Sequence, residues 1–178
     1  MKKLLIICAI ALSFGASCKK KTIDPKADLP TATQTGANTF GAMANGTILL
    51  PRHDPLRPGG TDFVAYYSTV VTPATVNFNI TANDTAGDPF RKIQLTSTST
   101  LQEGQSYSLQ VSSTNPVSAA YIVNTINTYT VTPPLTGQLT ITKLDQTNHI
   151  ISGTFYFDAV NSAGDKISVT DGRFDAKY

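Results

Sequence analysis

Short runs of alternating apolar and polar side chains recur along most of this chain. Alternation with a period of two is typical of strands that have one buried face and one face in water. It is clearest in residues 138–178, where three strand-like runs are separated by polar turns at 145–149 and 161–165. Helical periodicity is missing there, so the pattern predicts strands joined by short turns.

The last of these runs predicts a local irregularity. Strict alternation from Ile167 would bury three charged residues near the end of the run. One extra residue at Asp171-Gly172, a glycine bulge, would return those charges to water and bring apolar residues to the inner face. The charged residues are Asp171, Arg173 and Asp175, and the apolar ones are Phe174, Ala176 and Tyr178.

An Asn-Gly pair predicts a tight hairpin upstream. Asn45-Gly46 lies between two apolar-rich runs, residues 39–44 and 47–50. Asn and Gly tolerate the positive φ angles that a two-residue turn of type I′ requires. We therefore expect the two runs to pair as antiparallel strands.

Weaker patterns predict the remaining strands. They cover residues 63–71, 75–81, 91–98, 106–112 and two runs within 119–132 that break near Asn127. We expect 91–98 to pair with 106–112 around a Glu103-Gly104 turn. Hairpin-length connections favour an all-β fold, a single antiparallel meander forming a β-barrel or β-sandwich of about 8–10 strands.

Residues 1–17 have the layout of a bacterial secretory signal peptide. A basic start, Lys2-Lys3, precedes an apolar run that is too short to span a bilayer, and small residues precede Cys18. The run LSFGASC resembles a lipoprotein signal, in which the thiol of Cys18 is the lipid attachment site, although Gly15 stands where Leu is usual. The alternative is an ordinary signal peptide with an incidental cysteine.

The segment after Cys18 predicts how the protein is held and where. Residues 18–35 read as the lipidated cysteine and a flexible tether, and residues 36–178 as the all-β domain. The membrane, reached through the N-terminal lipid, is the first expected partner. Three lysines, residues 19–21, depart from the acidic surface-export signal of some envelope lipoproteins and favour the periplasmic side of the outer membrane.

Composition excludes several function classes. Two of the 14 Lys and Arg residues lie in the signal peptide, and the remaining 12 equal the 12 acidic residues, which argues against nucleic-acid binding. Both cysteines lie within residues 1–18, and His53 and His149 lack ligand spacing. We therefore expect no metal site and no cofactor.

Residues 51–62 form a proline-rich loop with concentrated charge, and such loops are often functional. Arg52 and Arg57 could donate hydrogen bonds to an anion or a sugar, while Asp54 tunes the charge of His53. These four residues are the candidate ligand-binding site. The alternative is an exposed polar loop.

Motifs for catalysis are absent from the sequence. There is no G-x-S-x-G elbow, no phosphate-binding glycine loop and no cysteine nucleophile in the domain. Without Trp, a sugar-stacking cleft would depend on Tyr66, Tyr67 or Tyr121. We expect a non-enzymatic domain that binds a small ligand or an envelope protein; the alternatives are a hydrolase of glycans or lipids using carboxylates near the 51–62 loop, and an accessory subunit of an envelope complex.

Three segments carry a resemblance to a known family. Residues 33–41 (TQTGANTFG), 153–157 (GTFYF) and 170–175 (TDGRFD) resemble a lipoprotein domain family of unknown function found in Bacteroidota. Members often carry Cys after the first Phe-Gly, where this chain has Ala42. The resemblance implies a compact β domain on a lipid anchor and brings no catalytic residues.

A short motif adds a candidate modification. Asp84-Thr85-Ala86 resembles the O-glycosylation signal of Bacteroidota envelope proteins, with Thr85 as the acceptor. The alternative is ordinary turn chemistry.

Overall fold

A computed structural model describes residues 25–56, 61–70, 77–112 and 114–178. One turn of 3-10 helix, Pro25–Asp28, precedes the strands. The strands are β1 (Thr39–Ala44), β2 (Thr47–Leu49), β3 (Phe63–Tyr67), β4 (Phe78–Asp84), β5 (Arg91–Ser97), β6 (Ser106–Ser108), β7 (Val117–Val123), β8 (Asn127–Thr130), β9 (Gly137–Asp145), β10 (Ile150–Val160) and β11 (Lys166–Lys177).

All of these strands belong to one antiparallel sheet. The main path runs β2-β1-β11-β10-β8-β7-β5-β4-β3, and β9 pairs with both β10 and β6. The predicted all-β, antiparallel fold is confirmed, with 11 strands in the described residues where about 8–10 were expected. The predicted Asn45-Gly46 hairpin is also confirmed, since β1 pairs with β2 and both turn residues have positive φ.

The sheet curls over a single core. Phe78 on β4 and Phe174 on β11 have ring centroids 6.1 Å apart, although four strands separate them along the sheet. Phe40 on β1 and Phe63 on β3 lie 5.8 Å apart although they too are on distant strands. Contacts between such strands require the open sheet to fold over, so that distant parts of one face pack against each other as in a barrel- or sandwich-like meander.

The predicted bulge is confirmed. In the β10–β11 ladder Phe155 faces Gly172, whereas Phe157 faces Val169, so β11 carries one extra residue between them. Asp171 takes up the irregularity with a φ of 53°. A Cβ on Gly172 would lie 2.5 Å from the ring of Phe155, so the close approach requires glycine.

After the bulge, the residues of β11 predicted to face the core do so, but one residue predicted to face water does not. Phe174 and Ala176 are buried. Asp175 was expected to reach water, but it is only 1% exposed. This part of the prediction is wrong, because the outer face of β11 is covered by a segment from the other end of the chain.

That segment is the N-terminal strap, defined here as residues 25–37. Leu29 within it is buried, and a Cβ added to Gly41 of β1 would lie 2.7 Å from the Cδ of Pro30. The described part of the predicted tether therefore packs on the domain. Residues 1–24, which include Cys18 and the signal peptide, lie outside the described residues.

One predicted pairing is wrong. Residues 91–98 do not form a hairpin with 106–112: β5 pairs with β4 and β7, whereas β6 pairs with β9. Each edge of β5 carries a seven-residue ladder, against three residue pairs between β6 and β9. Longer ladders with buried neighbours outcompete the local hairpin, a choice that the turn signal alone could not reveal.

Candidate functional site

The start of the 51–62 loop is clamped to the end of β4. The guanidinium of Arg52 donates from Nε to Oδ1 of Asp84 at 3.0 Å and from Nη2 to Oδ2 at 2.9 Å. Arg91 donates to the same Oδ2 and also to the carbonyl oxygen of Ile48, at 3.2 Å. Asp84 has no exposed surface. The positive charge of Arg52 is therefore paired with a buried carboxylate of the domain itself.

This cluster holds Asp84 ionised. Burial alone would raise the pKa of its carboxyl, but hydrogen bonds from Arg52 and Arg91 lower that pKa below its usual value. The same contact with Asp84 raises the pKa of the Arg52 guanidinium. A saturated, ionised carboxylate of this kind suits a structural role better than proton transfer.

The other predicted site residues of the loop point to different partners. Nδ1 of His53 lies 3.4 Å from Oδ1 of Asp62. Oδ1 of Asp54 accepts the backbone N–H of Leu56 at 2.9 Å. Arg57 lies outside the described residues. Arg52, His53 and Asp54 thus do not converge on one point, and their role as a ligand site stays a prediction.

Thr85, the predicted glycosylation acceptor, ties the loop to β4. Its Oγ1 donates to the carbonyl oxygen of Arg52 at 2.9 Å and accepts the N–H of Asp54 at 2.8 Å. A sugar on Oγ1 would remove the donated hydrogen bond. Modification of Thr85 stays a prediction.

A second buried carboxylate, Asp175, fastens the N-terminal strap. Its oxygens accept three consecutive backbone N–H groups, those of Thr35, Gly36 and Ala37, at 2.9, 2.8 and 3.1 Å. Hydroxyl groups of Thr33, at 2.6 Å, and Ser152, at 2.7 Å, complete the shell together with a longer contact from the Thr35 hydroxyl. Gly36 has a φ of 72°, the left-handed conformation that lets successive N–H groups surround an anion.

The pKa of Asp175 follows from this shell. Burial raises it, but the hydrogen bonds from Thr33, Thr35, Ser152 and the strap backbone lower it far more, to well below the usual range for Asp. Asp175 is therefore ionised at neutral pH, with every donor a neutral group.

A cleft of different character lies beside the end of β3. Its volume is about 430 Å³, and we call it the tyrosine cleft. It is lined by Tyr66, Tyr67, Ser68, Thr69, Gln146, His149 and Tyr178.

The aromatic rings of the tyrosine cleft are held at fixed angles. Tyr67 is buried and donates its hydroxyl to the carbonyl oxygen of Leu101 at 3.2 Å, so its ring forms the base. Tyr178 stands edge-on to Tyr67 at 5.4 Å and edge-on to His149 at 5.5 Å. Tyr66 is 49% exposed and presents its ring to solvent. A rigid base thus supports an accessible aromatic rim.

Among the described residues, the side chains that line the tyrosine cleft include no Asp, Glu, Lys or Arg. Asp145 lies nearby, but its carboxylate accepts the N–H groups of Thr147 and Asn148 at 3.0 Å and the Asn148 amide at 2.8 Å. The pKa of Tyr178 is raised by burial first and then by Tyr67 and Asp145. The negative charge of Asp145 therefore disfavours anionic ligands, while the described lining offers aromatic rings and neutral hydrogen-bonding groups.

Sequence reasoning found only part of this cleft. The sequence analysis named Tyr66 and Tyr67 as aromatic residues on which a sugar could stack, and both line the tyrosine cleft. Tyr121, the third, lies elsewhere, edge-on to Tyr129 at 5.9 Å. Tyr178 and His149 were missed as cleft residues because the turn before β10 meets β3 only in three dimensions. No local signal in the sequence joins those segments.

The remaining described residues offer few other sites. Nowhere among them do three or more His, Cys, Asp or Glu side chains gather as metal ligands would. No helix in that part of the chain has the length and apolar character needed to cross a bilayer. A cleft of about 360 Å³ lies beside the strap, with Tyr156 and Arg173 in its wall.

Comparison with known proteins places the domain in a family. Residues 60–176 match the family described as "Domain of unknown function (DUF6252)", which is more than half of the chain, so the chain belongs to that family. The match includes the two closing segments, 153–157 and 170–175, but not the opening segment 33–41. No curated protein and no solved structure matches the chain.

Proposed function

We propose that this member of a family of unknown function is a lipid-anchored, non-catalytic binding domain of the bacterial cell envelope. Its ligand binds in the tyrosine cleft. The observation that carries the proposal is the contrast between an accessible aromatic cleft and buried charges that are already paired. Pockets with aromatic walls and a few polar groups are the usual form of small-molecule sites.

The arrangement of acids and bases supports binding over catalysis. Asp84 and Asp175 are ionised and saturated with donors. The contacts of the 51–62 loop that the structure describes give the hydrolase alternative little support: Nδ1 of His53 lies 3.4 Å from Oδ1 of Asp62 at the loop surface, and the Asp54 carboxylate accepts the backbone N–H of Leu56. None of the described residues that line the tyrosine cleft has a carboxylate side chain.

The leader supports the envelope location. Cys18 follows a basic and apolar signal, and residues 19–21 are lysines, which favours the periplasmic side of a Bacteroidota outer membrane. From Cys18 to Pro25, where the strap begins, are seven Cα-to-Cα steps that span at most about 25 Å. The domain would therefore stay close to the bilayer surface.

The anchor is tested by replacing its attachment site. In a bacterium that processes lipoproteins and is fed a fatty-acid analogue, we expect the wild-type chain to be labelled and to sediment with membranes. Cys18→Ser should lose the label and the membrane association. An unlabelled wild-type chain, or a labelled C18S chain, would contradict the lipid anchor.

Ligand binding is tested without assuming a ligand class. The full chain in detergent is incubated with a low-molecular-mass envelope extract and weighed by native mass spectrometry. We expect an added mass on the wild type and on Tyr156→Ala, a control at the matched exposure of 50%, but a loss of about tenfold in occupancy for Tyr66→Ala. No added mass on the wild type, or equal occupancy in both variants, would contradict a ligand site in the tyrosine cleft.

A further inference from the structure

We infer that the tyrosine cleft recognises an uncharged carbohydrate. This inference rests on the proposed binding function and adds the chemical class of the ligand. It starts from three features that occur together in the part of the cleft that the structure describes: exposed aromatic surface, neutral hydrogen-bonding side chains and a lining without Asp, Glu, Lys or Arg.

The aromatic part fits the apolar face of a sugar ring. A pyranose presents several C–H groups on one face, and these pack against the flat face of an aromatic side chain. Tyr66 supplies an exposed ring, while Tyr67 and Tyr178, in edge-on contact at 5.4 Å, form a preorganised base. Tyrosine combines such an apolar surface with a polar tip that tolerates water, as an open binding cleft requires.

The polar part fits hydroxyl groups. Within the described residues, the side chains of Gln146 and Thr69 make no hydrogen bond to the protein, and both are exposed at the cleft. Oγ of Ser68 accepts the N–H of Val70 at 3.2 Å and keeps its own O–H free to donate. An amide, hydroxyls and an imidazole can each donate and accept, which matches the dual character of sugar hydroxyls.

Other ligand classes fit less well. A nucleotide or another anion needs a cation or a cluster of N–H donors to bind it. Near this cleft the charged side chain is Asp145, which acts on Tyr178 and would repel an anion. A purely apolar lipid would leave the Gln146 and Thr69 side chains unpaired as it covered them, at a cost in desolvation. A volume of about 430 Å³ lies within the range of small-ligand sites and admits a short stretch of glycan.

The test uses defined oligosaccharides with the full chain in detergent. Isothermal titration with hexaoses of β-glucan, α-glucan, xylan and mannan is compared with oligogalacturonate of the same length. We expect binding of at least one neutral hexaose and weaker binding of the acidic one. Tyr66→Ala should weaken the neutral interaction by about tenfold through the lost ring face, whereas Tyr66→Phe should retain it within about threefold.

Gln146→Ala probes the polar side, with an expected weakening of about fivefold from one lost hydrogen bond. Tyr156→Ala, on the outer face of β10, is the control and should bind as the wild type does. Thermal unfolding of each variant confirms that the fold is retained.

The outcomes separate the two proposals. If no neutral hexaose binds but the wild type takes up a Tyr66-dependent ligand from the envelope extract, the carbohydrate inference is wrong and the binding function stands. Preference for oligogalacturonate, or sensitivity to Y156A but not Y66A, would also overturn the inference. If neither hexaoses nor extract bind, both proposals fail.

Discussion

Asp84 and Asp175 are both buried carboxylates, but Asp84 faces two guanidinium groups whereas Asp175 faces only neutral donors. At Asp84 the charge is balanced by Arg52 and Arg91, one of them half exposed to solvent. At Asp175 the negative charge is stabilised instead by six hydrogen bonds from backbone N–H and hydroxyl groups.

The difference shows two ways to hold a distant segment on a sheet. Arg52 is 32 residues from Asp84 and brings its own counter-charge, so it fastens the 51–62 loop as an ion pair. The strap is about 140 residues from Asp175 and is fastened by three backbone N–H groups together with the neutral hydroxyls of Thr33 and Thr35. We expect the neutral shell to be the more costly one to disturb and the ion pair to be the more sensitive to salt.

The largest expected effect is that of Asp175→Asn. The amide has one oxygen in place of two, so at least one strap N–H would face an NH₂ group, and the net charge that all the donors solvate would be lost. We expect the free energy of unfolding to fall by about 3 kcal/mol, as measured by urea denaturation at pH 7. The strap should also become the first site of cleavage in limited proteolysis.

Asp158→Asn is the matched control, because Asp158 lies exposed on the outer face of β10. Its effect should stay within about 0.5 kcal/mol. If D175N were as mild as D158N, the strap would not depend on the carboxylate at all.

Asp84→Asn should have the second-largest effect. It leaves two arginines without a counter-charge, but Arg91 keeps the carbonyl oxygen of Ile48 and Arg52 is 51% exposed, so water relieves part of the cost. We expect a loss of about 2 kcal/mol in the free energy of unfolding at pH 7. A loss larger than that of D175N would reverse the comparison and make the ion pair the stronger fastening.

The burial of Asp175 marks where sequence reasoning about the fold stops. Alternation along β11 correctly predicted the bulge at Asp171-Gly172 and the inward position of Phe174. Alternation assigns a residue to a face, but it does not say what covers that face. The strap that covers Asp175 lies near the opposite end of the sequence. Residues 35–37 bind the carboxylate through backbone N–H groups, and because almost every residue has such a group, the sequence gives no signal for this contact.

The candidate site shows the same limit. The concentration of charged residues indicated the 51–62 loop as a candidate site. The partner of Arg52 is Asp84, however, which lies beyond the predicted strand 75–81 and was interpreted as part of a short turn motif. Tyr66 and Tyr67 could be named in advance because no Trp competes for the role of a stacking residue. Their companions Tyr178 and His149 could not, since packing of the last strand against β3 brings them together.

Acid should weaken the strap site more than the Arg52 site. The pKa of Asp175 in the folded state is lowered further than that of Asp84, so its contribution to stability is complete above the unfolded value of about 3.9 and is lost as the pH falls below it. Between pH 6 and pH 3 the stability gap between wild type and D175N should narrow by about 1 kcal/mol, measured by urea denaturation. The gap for D84N should narrow by no more than this. A D175N gap that stays constant down to pH 3 would mean that Asp175 is not specially stabilised as an anion.

The smallest expected effect is that of salt, and it separates the two kinds of shell most directly. Arg52→Ala removes an ion pair in which the guanidinium is half exposed and the Asp84 carboxylate buried, and should cost about 1 kcal/mol at low salt. Thr33→Val removes the hydroxyl that donates to Asp175 at 2.6 Å and should cost a similar or slightly larger amount. In 1 M NaCl, where charges are screened beyond about 3 Å, the cost of R52A should shrink by about half while that of T33V stays the same. Equal responses to salt in the two variants would show that Arg52 contributes through packing and hydrogen-bond geometry, because only its solvent-exposed Coulomb attraction to Asp84 is open to screening.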